Sequence, residues 1–201
     1  LNTTLWLALA TPMISLPIER IYKNIDLGDL EGMVDDRRVN PQLAERLDAE
    51  IKRKTLRQNG YFSDLHWSFA KDAEIFNAAH PLSRDLADHL SSDTAHEAAR
   101  SMEMAQFVSC LRNALAHGGI MYLDSDGRIS TGQADMLLFQ SAKQSFPDPV
   151  FDGKKGKYVN SRPVTESIRL LRIPQRDFRT FLIRWVTWLN DLGIIEDLKA
   201  A

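Results

Sequence analysis

Apolar residues recur at steps of three and four through the first 117 residues of this chain, then give way to shorter, less regular runs after Gly118-Gly119. The first pattern places apolar side chains on one face of a helix; the second suits strands and turns. Helices are predicted over Asn2–Ala10 and Ile14–Ile25, with Pro12 and Pro17 breaking the run between them. Pro41 suits the first position of a further helix, with Leu43, Leu47 and Ile51 on one face and Asn59-Gly60 as the stop. Ser63 offers a cap for a helix through Phe69, Ala73 and Phe76 that Pro81 closes, and a short helix follows over Ser83–Leu90. The longest prediction starts after Asp93. Thr94-Ala95-His96-Glu97 reads as a capping box, and Met102, Ala105, Val108, Leu111 and Leu115 form an apolar stripe. Gly118-Gly119 ends this helix, whose roughly 23 residues would span about 34 Å.

Beyond it, Ile120–Leu123, a Ser125-Asp126-Gly127 turn and Ile129 read as a small hairpin, while residues 134–142 suit helix or strand equally. Lys154-Lys155-Gly156-Lys157 is a basic loop, and Ile168, Leu170 and Ile173 suggest a strand. Phe178, Phe181, Leu182, Trp185, Trp188 and Leu189 mark a strongly amphipathic last helix, stopped by Gly193. Together these predict a mainly α protein, a helical bundle with a small C-terminal β element. It forms one domain over residues 1–201: a helical part to about residue 119, then the β element and final helix.

Composition narrows the function classes. A chain of 201 residues with 44% hydrophobic and 26% charged residues is ordinary for a folded domain. Its net charge of −2 argues against a polybasic nucleic-acid binder, although the charge is uneven. Residues 140–190 carry ten Lys and Arg against four Asp and Glu, a net of +6, whereas residues 1–139 sum to −6. Such asymmetry suits an anionic partner, or opposed faces that neutralise each other within the fold or across a dimer. The single cysteine, Cys110, permits no internal disulfide and no multi-cysteine zinc site, which fits a reducing cytoplasm. The apolar stretch Leu5–Ile18 is interrupted by two prolines and is too short for a span, so a buried helix is expected rather than a membrane segment or leader. Asp124 and Asp126 before Gly127 give half of a calcium loop, but the glycine is misplaced and no closing Glu follows. No metal or other cofactor is expected.

One segment carries chemistry. Arg112-Asn113-Ala114-Leu115-Ala116-His117-Gly118 stands at the end of the longest predicted helix. The same Arg-to-His spacing occurs at Arg84 and His89, but on a short helix without these surroundings. The Arg112 segment resembles the motif of the HEPN superfamily (higher eukaryotes and prokaryotes nucleotide-binding): arginine, a polar residue, small residues, histidine and glycine. The wider chain is similar to bacterial HEPN proteins of about this length, encoded on plasmids and chromosomes. That similarity runs through Asn59-Gly60-Tyr61-Phe62-Ser63, His66-Trp67-Ser68, Met102–Gly119 and Trp185–Leu189.

The resemblance implies a HEPN-type helical bundle, a homodimer, and metal-independent RNA cleavage by attack of a ribose 2′-OH, in defence or as a toxin restrained by an antitoxin-type partner. The residues themselves suit that chemistry. Asn113 and His117 are four apart and share a helix face, so the amide can orient the ring. Arg112 lies about 140° round the helix from His117, and two copies packed about a two-fold would bring both residue types to one groove. An imidazole can exchange protons with the 2′-oxygen and the leaving 5′-oxygen, and a guanidinium can hold the phosphate. Lys154, Lys155 and Lys157 are candidate contacts to RNA phosphates. The rival expectation is a catalytically silent nucleotide- or partner-binding scaffold in which Arg112 and His117 only cap the helix and stabilise the dimer. His66, His80, His89 and His96 are expected to be packing, capping or surface residues.

Overall fold

The computed structural model describes residues 3–17, 41–72, 81–145, 147–148, 150–152, 157–159 and 164–193. Its helices are α1 (Thr3–Pro17), α2 (Pro41–Lys52), α3 (Arg84–Leu90), α4 (Asp93–Arg100), α5 (Met104–His117) and α6 (Gln175–Asp191). The strands are β1 (Ser68–Asp72), β2 (Ile120–Leu123), β3 (Met136–Ser145), β4 (Val150–Asp152), β5 (Lys157–Val159) and β6 (Val164–Pro174). β1, β6, β3 and β2 form, in that order, a wholly antiparallel four-stranded sheet, and β4 pairs with β5 apart from it.

This corrects the expected mainly α bundle with a small C-terminal β element: the fold is mixed, with the sheet at its centre. Two strands account for most of the difference. β3 and β6, ten and eleven residues long, pair along their whole length, with one register shift at Lys143/Gln144. β1 lies where the 63–76 helix is predicted, its Phe69 and Ala70 paired with Leu171 and Leu170. Its five residues satisfy both local patterns, and the exposed edge of β6 decides between them. Residues 63–67 of that predicted helix form turns and irregular chain, while Ala73 and Phe76 lie outside the described residues, as do Ile18–Ile25 and His80.

Side-chain alternation gives the sheet two apolar faces. On one, Leu137, Phe139, Leu171 and Ile173 meet the buried residues of α1, α2, α5 and α6. Tightly packed aromatics lie at the centre of this core, with Trp67 edge-on to Phe107 at 4.9 Å and Phe178 5.1 Å from Phe139. On the other face, Leu138, Leu170, Ile168, Met121 and Leu123 pack with Leu90, Leu86 and Leu82. There the buried Arg172 donates to the Leu90 carbonyl at 2.6 Å and the Ser91 hydroxyl at 3.1 Å, placing a cation at the C-terminal end of α3.

Three local expectations change as well. α1 runs unbroken through Pro12: Leu7, Ala10 and Ile14 are buried on one side, and the Thr11 hydroxyl bonds back to the Leu7 carbonyl. α2 stops at Lys52, and a 3₁₀ turn, Leu56–Gln58, leads to the buried Asn59. The long helix after Asp93 is two helices. Ser92, rather than a Thr94 capping box, caps α4. The backbone between α4 and α5 pairs instead with the chain beside Thr55: Leu56 N–H donates to Met102 O at 2.8 Å, and Met104 N–H to Lys54 O at 2.9 Å. Those bonds replace helical ones, and no sequence period reports them.

Other expectations hold. α2 begins at Pro41, Ser83 caps α3, and α6 buries the six predicted apolar residues. Trp185 Nε1 donates to Met13 O at 2.9 Å, joining α6 to α1. Among the described residues no helix is long and apolar enough to cross a membrane.

Candidate functional site

α5 carries the Arg112–His117 segment to the edge of the molecule. Its inner face, Met104, Phe107, Val108, Leu111, Ala114 and Leu115, is buried, and Cys110 is buried against β3 and β6. Burial pushes the Cys110 thiol up, opposed by Ser141 and Arg169, so it lacks the stabilised thiolate of a nucleophile. Gly118 then ends the helix in the left-handed conformation, φ +69°, and β2 starts two residues later. Gly119 is held against β3: its carbonyl accepts from Gln140 N–H at 2.7 Å, and its N–H donates to Ala114 O at 2.9 Å.

The last two turns therefore lie at the surface while their base is fixed to the sheet. Ala116, His117 and Gly118 are exposed; Arg112 and Asn113 are half-buried. Arg112 Nη1 donates to Asn113 Oδ1 at 2.6 Å, so the amide oxygen is taken by the arginine and does not orient the His117 ring. Within one chain Arg112 and Asn113 form a unit, and His117 stands alone at the helix tip, bonded to no described residue.

The other sequence candidates are less informative. Lys154 and Lys155 lie outside the described residues, and Lys157 begins β5 with its side chain outside them. Arg84 and His89 sit at opposite ends of α3, both exposed. Asp124 Oδ1 accepts from the N–H groups of Asp126 and Arg128, closing the turn over Gly127. Among the described residues no group of three or more His, Cys, Asp or Glu is placed to hold a metal ion.

A second concentration of polar side chains escapes the sequence reading. His66 Nδ1 lies 2.7 Å from Asp177 Oδ2, and that oxygen also accepts from the His66 N–H at 3.1 Å. His96 Nδ1 lies 2.9 Å from the Trp67 carbonyl. Both rings line one 400 Å³ cavity with Arg57 and Arg100. The four residues span 44 positions and meet because Thr55 pairs with Glu103 and β1 leaves the segment's end, so spacing carries no signal of them. At the rim Arg184 donates to both Asp64 oxygens and holds this carboxyl below the ordinary carboxylate range.

A depressed folded pKa adds stability that is present above the unfolded value, about 4, and is lost as pH falls through the folded one. Asp64→Asn is expected to lower stability at pH 7 by less than about 1 kcal/mol, both partners being exposed to solvent. The difference in melting temperature should vanish toward about pH 2; a pH-independent difference would mean that the pair is not its source.

No protein-family model, curated protein or solved structure matches this chain.

Proposed function

We propose that the tip of α5 is the reactive centre of a metal-independent endoribonuclease acting as a homodimer in the cytoplasm. The observation that carries the reading is local. The segment Arg112–Gly118, which resembles the HEPN motif, ends a helix whose buried face fixes it, with the His117 ring exposed and the Arg112 guanidinium half-exposed beside Asn113.

In the proposed reaction His117 takes the proton of a ribose 2′-OH as that oxygen attacks phosphorus. The P–O5′ bond breaks, the departing 5′-oxygen takes a proton from water, a 2′,3′-cyclic phosphate remains, and the protonated His117 returns its proton to the hydroxide so formed. Arg112 donates to the non-bridging oxygens, whose charge grows in the transition state, and Asn113 holds its guanidinium fork. The dimer supplies what one helix lacks, because Arg112 and His117 diverge by about 140° within a chain. Leu5, Leu9 and Leu16 on α1, with Ile183 and Val186 on α6, are 40–54% exposed and offer apolar area for a subunit contact. In this reading the cleavage serves defence or toxin action, held in check by an antitoxin-type protein.

Incubating the purified protein with end-labelled RNA in EDTA tests this directly. Fragments bearing 2′,3′-cyclic phosphate ends are expected. Cleavage that requires an added divalent ion, or that yields 3′-hydroxyl ends, would overturn it. A protein that binds RNA uncut, with intact dimers, would favour the silent scaffold.

A further inference from the structure

The cavity beside α4 is a second place where charge and geometry point to a ligand. It is independent of α5, since neither Arg112 nor His117 lines it. We propose that it binds a phosphate ester through its anionic oxygens.

The hydrogen bonds around it set the sign of the ligand. Three carboxylates among the described residues are already engaged: Asp64, which lines the cavity, by Arg184, Glu97 by Arg57, and Asp177 by His66. Arg100 is exposed and bonded to no described residue, so among those residues its guanidinium has no anionic partner. Arg57 can turn from the exposed Glu97 to a better acceptor, because a surface pair of this kind is weak. Two arginines on one cavity suit the tetrahedral face of a phosphate, which takes forked donors.

The imidazoles are arranged for the same ligand. A carbonyl oxygen only accepts, so His96 Nδ1 carries the proton that bonds Trp67 O, and Nε2 is left for the cavity. His66 is held the same way by Asp177. An Nε2 accepts from a phosphate hydroxyl when the ring is neutral and donates to a phosphate oxygen when it is protonated. Trp67 also lines the cavity. The volume, 400 Å³, lies within the roughly 300–1,000 Å³ of small-molecule sites and leaves room for a sugar beyond the phosphate.

Histidine-ring NMR of the full chain tests this, with sodium phosphate, adenosine 5′-monophosphate and a short 2′-O-methyl RNA lacking terminal phosphates, which cannot be cleaved by 2′-OH attack, titrated at constant ionic strength. Saturable shifts of the His66 and His96 signals are expected, and they should persist in His117→Ala. Arg100→Gln, at an exposed side chain bonded to no described residue, is expected to weaken that binding about tenfold. Tighter binding of the mononucleotide than of the RNA would assign the phosphate to a free nucleotide, and the reverse to an RNA backbone; both keep the proposal. Shifts linear in concentration, or an unchanged affinity in Arg100→Gln, would overturn it. Cleavage by the α5 centre would survive that failure, and loss of cleavage would leave this binding untouched.

Discussion

His117→Ala is expected to lower RNA cleavage by about 10²–10⁴-fold, the usual contribution of a positioned acid or base, while leaving the fold intact. The side chain is exposed and bonded to no described residue, so its removal should change stability by less than about 0.5 kcal/mol. Arg112→Ala should cost a comparable factor, and Arg112→Lys should recover only part of it, since an ammonium lacks the planar fork. Added imidazole should partly restore His117→Ala and not Arg112→Ala, a response that a capping role would not produce. Mixing the two inactive variants separates one chain from two. If each centre draws Arg112 from one subunit and His117 from the other, re-equilibrated mixtures should recover about a quarter of wild-type activity: half the dimers are mixed, and each mixed dimer has one intact centre. Persistent cleavage in both folded, dimeric variants would remove the α5 tip from the chemistry.

Gly119→Ala carries the largest expected effect on stability, about 2–3 kcal/mol, or roughly 5–10 °C in melting temperature. A Cβ at this position would lie 2.4 Å from the Gln140 carbonyl oxygen, a backbone atom that cannot rotate away. Relieving the clash would stretch the 2.7 Å bond from Gln140 N–H to Gly119 O that fixes the α5 tip to β3. The preceding glycine provides the control. A Cβ on Gly118 meets nothing within 4 Å, and its cost is the left-handed backbone alone, about 1 kcal/mol. Thermal melts of the two variants check the difference, and equal shifts would show that the α5–β3 contact yields without cost. Cleavage by Gly119→Ala, measured well below its melting temperature, should also fall, because His117 moves with the helix end.

The two glycines show how much of the centre was legible. The break after His117 and the motif before it can be read from spacing and residue type, because helix termination is a local matter of backbone conformation. That the second glycine is a packing residue depends on β3, some twenty positions away. His66 and His96 were unreadable for the same reason. Each looks like a packing or surface histidine in its own stretch, and the cavity exists because the chain near Thr55 pairs with the chain near Glu103.

The sequence alone determined the elements whose apolar period closes within a few turns: α3, the body of α5, α6 with its six buried residues, and the glycine stop after the motif. Hydrogen bonds and the buried face in such helices come from neighbours in the chain, so local pattern suffices. Only the tertiary structure decided that Ser68–Asp72 is a strand, that the helix after Asp93 breaks before Met104, and that the sheet is central rather than appended. In each case the deciding backbone bonds go to residues far along the chain, β1 to β6 and Met102 to Leu56. Only the folded chain places those partners side by side.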